Sequence, residues 1–402
     1  MKTIKDIQSL EGVTVLMRVD FNVPLLNGKV RDNYRIQSIL PTVRFLQGKG
    51  AKLVLISHIE SDEGTLAPVV PEFEKLLNEE GVGSNSVGQG RSSPKIEKVK
   101  FIENYRNAKA EIDALPAGGI VLLENLRKYP GEKANDKTFS KELASLADIY
   151  VNEAFSVSHR EHASVVGVTK FLPSYAGLQF EEEVRQISVA FNPPRPFFFL
   201  LGGAKFETKL PLVTKYLAQA DKVFIGGALA NDCFKVMGYN VGASKVSEGA
   251  DVSAIIKSSK LVLPVDVIAL RGSTAGASGE NVTIDPKEVK DGDIMLDVGP
   301  KTVELLASLT KDMKCVVWNG PFGGYEMGYV DSTRGYASVL AKATANGVVS
   351  IVGGGDTVAA LMQVPEGIKG FTFASTGGGA MLDLLANETL PGILALDENK
   401  GE

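Results

Sequence analysis

Cysteine, histidine and tryptophan are scarce in this sequence of 402 residues, which contains two, three and one of them respectively. Two cysteines, Cys233 and Cys315, cannot form a disulfide framework or a thiolate metal cluster, and they fit a reducing cytoplasm. No apolar stretch approaches the roughly 20 residues of a membrane span. The first twelve residues lack the apolar core of a signal peptide. We therefore expect a cytoplasmic protein.

Two common nucleotide-binding motifs are also missing. The sequence contains no GxxxxGK[ST] loop, and no GxGxxG follows its first predicted strand. These absences argue against an ordinary P-loop protein and against a dinucleotide-dependent oxidoreductase. The net charge of −5 provides no general attraction for nucleic acid or for anionic membranes. An anionic ligand therefore requires a local cluster of basic residues.

Apolar runs alternate with amphipathic stretches along both halves of the chain, which predicts parallel sheets covered by helices on both faces. In the first half the apolar runs span 13–19, 52–57, 119–125 and 148–153. In the second half they span 196–201, 221–225, 260–270, 294–298, 314–318, 347–352 and 371–375. A helical pattern at 180–192 ends at the sequence PPRP and separates the two series. The sequence predicts an α/β fold of two doubly wound lobes joined by a helix.

Four glycine-rich turns follow apolar runs in the second half, at 202–203, 226–227, 353–355 and 377–379. Backbone N–H groups in such turns, with the helix N-termini behind them, favour phosphates, so the ligand is predicted to be rich in phosphate, such as a nucleotide. Lys205 either contacts phosphate or lies at the surface. Lys209, four residues later, is a surface lysine or a weaker phosphate contact. Asp356 could hold Mg²⁺ with phosphate oxygens, cap the following helix, or do both.

Basic and polar side chains follow the predicted strands of the first half. They are Arg18, Arg35, His58, Arg127, His159, Arg160 and His162. Because Arg binds phosphate and carboxylate groups through two N–H donors, this clustering at strand ends predicts a pocket for an anionic substrate. Each residue taken alone could instead be structural. Asp20 and Asn22 could bind substrate hydroxyl or carboxyl groups, or serve the turn before Pro24.

Seven motifs occur in one order along nearly the whole chain. They are RVDFNVPL (18–25), ENLR (124–127), HREHAS (159–164), GGAKFETK (202–209), WNGPFG (318–323), GGGDT (353–357) and STGGGA (375–380). Together they closely resemble the phosphoglycerate kinase family. The resemblance implies a Rossmann-like lobe for phosphoglycerate (1–173, with the tail 388–402 packing back on it), an interdomain helix (174–192) and a nucleotide lobe (193–387).

The resemblance also implies the reaction. It is reversible in-line phosphoryl transfer between 1,3-bisphosphoglycerate with ADP and 3-phosphoglycerate with ATP, after a hinge motion. A monomer would act with Mg²⁺ on these small molecules, and not on nucleic acid or membranes. The alternative, a nucleotide-binding protein of the same fold with weak or no kinase activity, remains open.

Site residues follow from the motif positions. Phosphoglycerate would be held by Asp20, Asn22, Arg35, His58, Ser61, Arg127, Arg160 and His162. The nucleotide would be held by Lys205, Lys209, Gly226, Gly227, Leu296, Asn319, Pro321, Glu326, Gly354, Gly355, Asp356 and Thr357, with the metal on Asp356. Catalysis would depend on Arg35, Lys205, Gly378 and Gly379.

One segment departs clearly from the family pattern. The family's SHLGRP is replaced by SHIESD at 57–62, so that Ser61 stands where an arginine is usual and acidic residues surround it. Either other basic residues compensate for the missing phosphate contact, or the substrate phosphate binds more weakly. Smaller departures occur at Lys128, Glu161 and Thr208.

Overall fold

The computed structural model describes residues 1–79, 98–204, 206–247, 251–272 and 279–398. The chain divides into two compact units. Unit 1 is Met1–Arg185 with the described part of Thr389–Glu402, and unit 2 is Gln186–Glu388. Each unit has a parallel sheet with helices packed on it, so the predicted α/β fold with two lobes is confirmed.

In the described part of unit 1, six strands form a parallel sheet in the order β5-β6-β4-β1-β7-β8. They are β1 (Thr14–Arg18), β4 (Lys52–Ile56), β5 (Lys100–Ile102), β6 (Ile120–Leu123), β7 (Ile149–Asn152) and β8 (Ser174–Ala176). A small hairpin, β2 (Leu25–Leu26) and β3 (Lys29–Val30), follows β1. The inner strands β1 and β6 are buried along their whole length. Burial on both faces explains the apolar sequence of β6 and of the middle of β1.

The described part of unit 1 also contains the α-helices that accompany this sheet. They are α1 (Tyr34–Gly48), α2 (Val69–Asn78), α3 (Lys109–Asp113), α4 (Pro130–Lys133), α5 (Lys137–Ala144), α6 (Leu178–Ile187) and α13 (Pro391–Glu398). Ile39, Val43 and Leu46 of α1 join the core formed by the sheet. The last helix, α13, belongs to this unit, since Gly392 N–H donates to Ser158 O at 2.8 Å and the Met1 amino group pairs with Asp397 at 2.7 Å.

In the described part of unit 2, six further strands form a second parallel sheet in the order β11-β10-β9-β15-β16-β17. They are β9 (Phe197–Leu201), β10 (Lys222–Ile225), β11 (Leu261–Val262), β15 (Cys315–Asn319), β16 (Val349–Gly353) and β17 (Phe373–Ser375). The helices are α7 (Phe206–Gln219), α8 (Ala228–Val236), α9 (Pro300–Thr310), α10 (Asp331–Ala345), α11 (Gly355–Leu361) and α12 (Gly378–Asn387).

Two of the predicted strands in unit 2 lie elsewhere than expected. The run 260–270 divides into β11 and β12 (Val267–Arg271), because Pro264 between them has no N–H to donate to a ladder. β12 pairs antiparallel with β13 (Glu280–Ile284) and β14 (Ile294–Val298) in a separate sheet. The prediction of a parallel series therefore holds for β11, which pairs parallel with β10, and was wrong for the rest of the run 260–270 and for 294–298. Among the helices described, none has both the length and the apolar character needed to cross a bilayer.

Candidate functional site

Three neighbouring strands of unit 1 end in the side chains that the sequence singled out. Asp20 follows β1 by two residues, His58 follows β4 by two, and Arg127 lies in the short 3-10 turn Leu126–Lys128 after β6. Since β6, β4 and β1 are adjacent and parallel, their carboxyl ends meet at one edge of the sheet. The predicted cluster of basic and polar groups therefore forms at this edge.

Asp20 is the centre of the cluster. Its carboxylate accepts a hydrogen bond from Arg35 Nη1 at 2.8 Å and another from Asn22 N–H at 3.0 Å, and Ser156 Oγ donates to it as well. Burial alone would raise the pKa of Asp20, but Arg35 and the other partners outweigh it, so the pKa lies below its ordinary value. The ionised carboxylate therefore fixes Arg35, which lies in the first turn of α1 and also donates to Asn22 O at 3.0 Å.

His58 is held by a buried network behind the cluster. Arg18 Nη2 lies 3.0 Å from His58 Nδ1, and Arg18 Nε donates to Ser164 Oγ at 2.9 Å. Ser164 in turn donates from N and Oγ to Glu132 at 2.9 and 2.6 Å. Burial, and after it the charge of Arg18, lowers the pKa of His58 to about 3. With Nδ1 accepting from Arg18, the neutral ring carries its proton on Nε2, and Arg18 itself is structural.

Asn125 connects Arg127 with the segment 57–62, which is the segment that departs from the family pattern. Asn125 donates from Nδ2 to Ile59 O at 2.9 Å, while its Oδ1 accepts from Arg127 N–H at 3.0 Å. The Arg127 guanidinium forms an ion pair with Glu60. Ser61 O accepts from Gly64 N–H at 3.0 Å, which closes the turn. An acidic side chain of the segment is thus paired with a predicted substrate residue.

The last two predicted substrate residues differ in exposure. Arg160 is exposed at the surface, whereas His162 is buried at the start of the π-helical turn Ala163–Gly167. His162 Nδ1 lies 3.9 Å from Glu132 Oε1. Burial, followed by the charges of Arg127 and Arg18, lowers the pKa of His162 to about 4. His162 therefore belongs to the network around Glu132, and Arg160 acts on it through its charge.

In unit 2 the glycine turns interlock at the carboxyl ends of the strands. Gly202 N–H, after β9, donates to Asn319 O at 2.9 Å, and Gly203 N–H donates to Pro321 O at 2.9 Å. A β-carbon added at Gly202 would overlap Pro321 O and come within 2.6 Å of Gly320 O. The turn at 226–227 approaches as closely, because a β-carbon at Gly227 would lie 2.7 Å from Gly203 N and O. Only glycine allows these backbones to pack together.

A cavity of about 600 Å³ opens beside these turns. Among the described residues that line it are the predicted nucleotide residues Gly227, Leu296, Pro321, Glu326 and Asp356. Its walls are mainly apolar, with Phe234 and Phe322 among them. An apolar cavity of this size with a few polar groups at one end suits a base and ribose attached to phosphates.

The remaining predicted nucleotide residues lie behind or beside the cavity wall in the described part of the chain. Gly226 faces the rings of Phe224 and Phe322, and Asn319 is buried at the end of β15. Gly354, Gly355 and Thr357 form the start of α11, where Gly354 takes φ +100°. Gly354 is the N-cap and Asp356 is the second helical residue, so the alternative that Asp356 caps this helix was wrong. A left-handed φ suits glycine and disfavours aspartate at the cap.

The helix that begins at Gly378 starts against the same turn. A β-carbon at Gly378 would lie 2.9 Å from Gly354 Cα, which shows that the two backbones touch. Gly378 and Gly379 form the first turn of α12, so its N-terminus lies beside that of α11. Lys205 falls outside the described residues. Lys209 donates from Nζ to Gly202 O at 3.0 Å, which holds the first glycine turn.

Asp356 suits a divalent cation only together with a ligand. Within the described ranges, no group of three or more His, Cys, Asp or Glu side chains could hold a metal ion. Mg²⁺, however, usually takes one or two carboxylates along with phosphate oxygens and water. Burial, and next the charge of Glu326, raises the pKa of Asp356. Both negative groups line the cavity, so the residues fit Mg²⁺ that arrives with a nucleotide.

Several polar residues of these sites were missed by the sequence reasoning. Asp297 lines the cavity and accepts hydrogen bonds from Val298 N–H at 2.8 Å and from Ser332 Oγ. Burial raises its pKa to about 6. The sequence pattern that could have indicated Asp297 is a carboxylate near the end of an apolar run, here 294–298, as for Asp20. Ser156 and Glu132 are recognised only through their partners.

Comparison with known proteins places the chain. The model of the phosphoglycerate kinase family matches residues 4–388. The chain belongs to the phosphoglycerate kinase family. It is 40% identical to the phosphoglycerate kinase of Synechococcus elongatus, over 97% of this chain and 96% of the relative. It is 37% identical to that of Wolbachia sp. subsp. Drosophila simulans, over 97% of both. The crystal structure of phosphoglycerate kinase from Pyrococcus horikoshii covers 99% of both chains with a TM-score of 0.83 at 28% identity.

Family membership decides between the functions left open by the sequence. The chain is an enzyme of glycolysis, a kinase that transfers a phosphoryl group reversibly between 1,3-bisphosphoglycerate with ADP and 3-phosphoglycerate with ATP. None of the reported matches supports the alternative of a nucleotide-binding protein without kinase activity.

Proposed function

We propose that the reaction is divided between the units, with phosphoglycerate bound by unit 1 and the nucleotide by unit 2. The proposal keeps the predicted domains 1–173 with 388–402, and 193–387, and the helix 174–192 between them. The observation that carries it is the contrast of chemistry at the two sheet edges. Unit 1 gathers Arg35, His58 and Arg127 at its edge, while unit 2 gathers glycine turns around one apolar cavity.

In unit 1, the arginines recognise the acidic substrate. Arg35, aligned by Asp20, would bind a carboxylate or an acyl phosphate through its guanidinium. His58 offers Nε2–H as a neutral donor, and Arg127 and Arg160 provide positive charge for the substrate phosphate. Asp20, Asn22, Ser61 and His162 complete the proposed set. In the direction of ATP use the nucleophile is a carboxylate that is already ionised at neutral pH, so no general base is required.

In unit 2, backbone N–H groups and one lysine stabilise the charge of the transferred group. The N-termini of α11 and α12 lie side by side, and the positive ends of their dipoles favour phosphate oxygens. Lys205 would add a mobile charge, and Lys209 would keep the Gly202 turn closed. Mg²⁺ held by Asp356 would neutralise nucleotide oxygens. Alignment and charge stabilisation are the main contributions in phosphoryl transfer, and a hinge motion would bring the two ligands in line.

A coupled assay with 3-phosphoglycerate and MgATP, followed through NADH oxidation by glyceraldehyde-3-phosphate dehydrogenase, tests this proposal. We expect turnover by the protein, and a fall in kcat of about 10²- to 10³-fold in Lys205→Ala, as for removal of a group that stabilises transition-state charge. Lys209→Ala is the matched control, with a smaller loss, because its ammonium bonds the turn and not the ligand in our assignment. Equal small losses in both variants would contradict the role of Lys205.

The same proposal covers the setting of the enzyme. We expect a cytoplasmic monomer that acts on small molecules and not on nucleic acid or membranes, in line with the net charge of −5. Cys233 and Cys315 are both buried and unbridged, and burial raises the pKa of each thiol to about 12. Neither cysteine is therefore expected to react as a thiolate.

A further inference from the structure

We infer that Glu60 is an internal competitor of the substrate: its carboxylate occupies the guanidinium of Arg127, and phosphoglycerate must displace it in order to bind. The inference rests on the proposed role of Arg127 in binding phosphoglycerate. It makes Glu60 a residue that sets the affinity for the acidic substrate without taking part in phosphoryl transfer.

The ion pair itself is the first observation. Arg127 Nη1 bonds Glu60 Oε1, and the exposures of the two side chains are 15% and 63%. The guanidinium is therefore enclosed while the carboxylate reaches it from the solvent side. Arg127 Nε is buried and has no hydrogen-bond partner within the described part of the chain. The guanidinium thus has its accessible edge engaged by Glu60, at the place where a substrate anion would approach.

The pair is built by the fold and does not depend on a chance rotamer of a loose loop. Glu60 N–H donates to Asn22 Oδ1 at 2.8 Å, which ties its backbone to the residue that follows β1. Asn125 holds Ile59 O and Gly64 O on one side and Arg127 N–H on the other. Hydrogen bonds with Asn22 and Asn125 therefore hold the backbone on both sides of the ion pair.

Two nearby cations, Lys128 and Arg35, already have carboxylate partners of their own, so Glu60 pairs with Arg127. Lys128 Nζ pairs with Glu124 at 2.7 Å, and Glu124 also accepts from Leu66 N–H at 2.9 Å. Arg35 pairs with Asp20 at 2.8 Å. Ser61, next to Glu60, provides no positive charge. The edge of the sheet thus loses a cation at position 61 and gains an anion at position 60.

The consequence is competition between two anions for one guanidinium. Because the carboxylate partner of this ion pair is largely exposed, water and salt screen the attraction, and a substrate phosphate with nearly two negative charges can displace the Glu60 carboxylate into solvent. The displaced carboxylate stays near the bound phosphate and repels it. Binding of phosphoglycerate is therefore weakened, whereas the nucleotide site in unit 2 is unaffected. The missing arginine at 61 is not compensated by Arg127, which is itself occupied.

Glu60→Gln separates this effect from general charge. The variant keeps size and hydrogen bonding but removes the competing charge. We expect the KM for 3-phosphoglycerate to fall about two- to fivefold, the fold-change that an exposed ion pair supports, with kcat and the KM for ATP unchanged. Glu63→Gln, which removes the same charge three residues along the same exposed turn, is the matched control and should leave the KM for 3-phosphoglycerate nearly constant.

Calorimetric titration with 3-phosphoglycerate, in the absence of nucleotide, provides a readout besides turnover. Tighter binding by Glu60→Gln than by the wild type and Glu63→Gln supports the inference. Equal affinity in all three proteins overturns it, as does an equal gain in both variants. If the wild type showed no turnover, the proposed function would fail, while the titration would still decide whether Glu60 competes for Arg127.

Discussion

The two sites are built from different materials. The proposed nucleotide site of unit 2 is made of backbone: glycine turns after β9 and β10 and the starts of α11 and α12 approach so closely that a β-carbon would collide with main-chain atoms. The proposed phosphoglycerate site of unit 1 is made of side chains, which hold one another through ion pairs such as Arg35 with Asp20 and Arg127 with Glu60. The chemistry of each ligand explains the choice only in part, since both carry phosphate.

The difference bears on how each site can vary. Main-chain atoms in contact cannot be moved by one substitution without shifting two strands. A side-chain site can exchange a cation for an anion and still fold, provided that the new charge finds a partner. The clear departure from the family pattern, SHIESD at 57–62, falls in unit 1, where Glu60 forms an ion pair with Arg127. Variants at each site can test this contrast.

The largest effect is expected for Gly202→Ala in unit 2. The added methyl group would overlap Pro321 O and approach Gly320 O to 2.6 Å, and overpacking of this kind costs about 1–3 kcal/mol. We expect a lower free energy of unfolding in urea, and loss of MgADP binding because the turns separate. Gly335→Ala in α10 is the control, since its nearest neighbour is Val303 Cγ1 at 3.6 Å. That variant should be neutral or more stable by up to about 1 kcal/mol; equal stability of the two variants would contradict a site built from touching backbones.

The next effect concerns the pH dependence of the free energy of unfolding, to which His58 in unit 1 and Asp297 in unit 2 contribute with opposite signs. The pKa of His58 is about 3 in the folded state against an ordinary 6.5, so the unfolded chain binds the extra proton between these values. His58 therefore makes the protein less stable as pH falls from 6.5 towards 3, by at most about 1.4 kcal/mol per pH unit. The pKa of Asp297 is raised to about 6 from 3.8, so its contribution is fully present below pH 3.8 and is lost as pH rises through 6.

Urea unfolding between pH 6.5 and 4 checks both signs. His58→Gln should flatten the decline of the unfolding free energy towards acid, because the neutral amide can still accept from Arg18 without gaining a proton. Asp297→Asn should steepen the decline, since it removes a group that takes up a proton in the folded state. Parallel curves for the wild type and His58→Gln would show that His58 does not titrate differently in the two states.

Much of the framework could be predicted from the sequence because parallel sheets bury both faces. The runs that became β6 and β9 are continuous apolar segments, those of β1 and β16 are largely apolar, and glycine turns mark the ends of β9 and β16. The division at Pro264 was missed because apolar character was allowed to outweigh the missing N–H of proline. A change from parallel to antiparallel pairing leaves no local sequence pattern in β12 or β14.

The pairing of site residues was beyond reach for another reason. Glu60 and Arg127 are 67 residues apart in sequence, and the acidic residues at 60, 62 and 63 look alike when only the sequence is read. Glu60 alone of these is paired with Arg127 in the described structure, because Asn22 holds its backbone and Asn125 holds that of the preceding Ile59. The sequence therefore predicted which residues gather at the sheet edge, and the structure showed which of their charges were already neutralised.

The smallest effect is expected for Ser61→Arg, which restores the cation usual in the family. The new guanidinium would attract 3-phosphoglycerate, but the neighbouring Glu60 carboxylate is available to pair with it, so we expect the KM to fall by about twofold at most. Removing the Glu60 charge as well should give the full gain in affinity for 3-phosphoglycerate, because the effects of substitutions at neighbouring residues are not additive. In the double variant Glu60→Gln with Ser61→Arg, the KM for 3-phosphoglycerate should therefore fall by a larger factor than the product of the two single fold-changes. Strict additivity in the coupled assay would show that position 61 binds phosphate independently of Glu60, and would restrict competition by Glu60 to Arg127 alone.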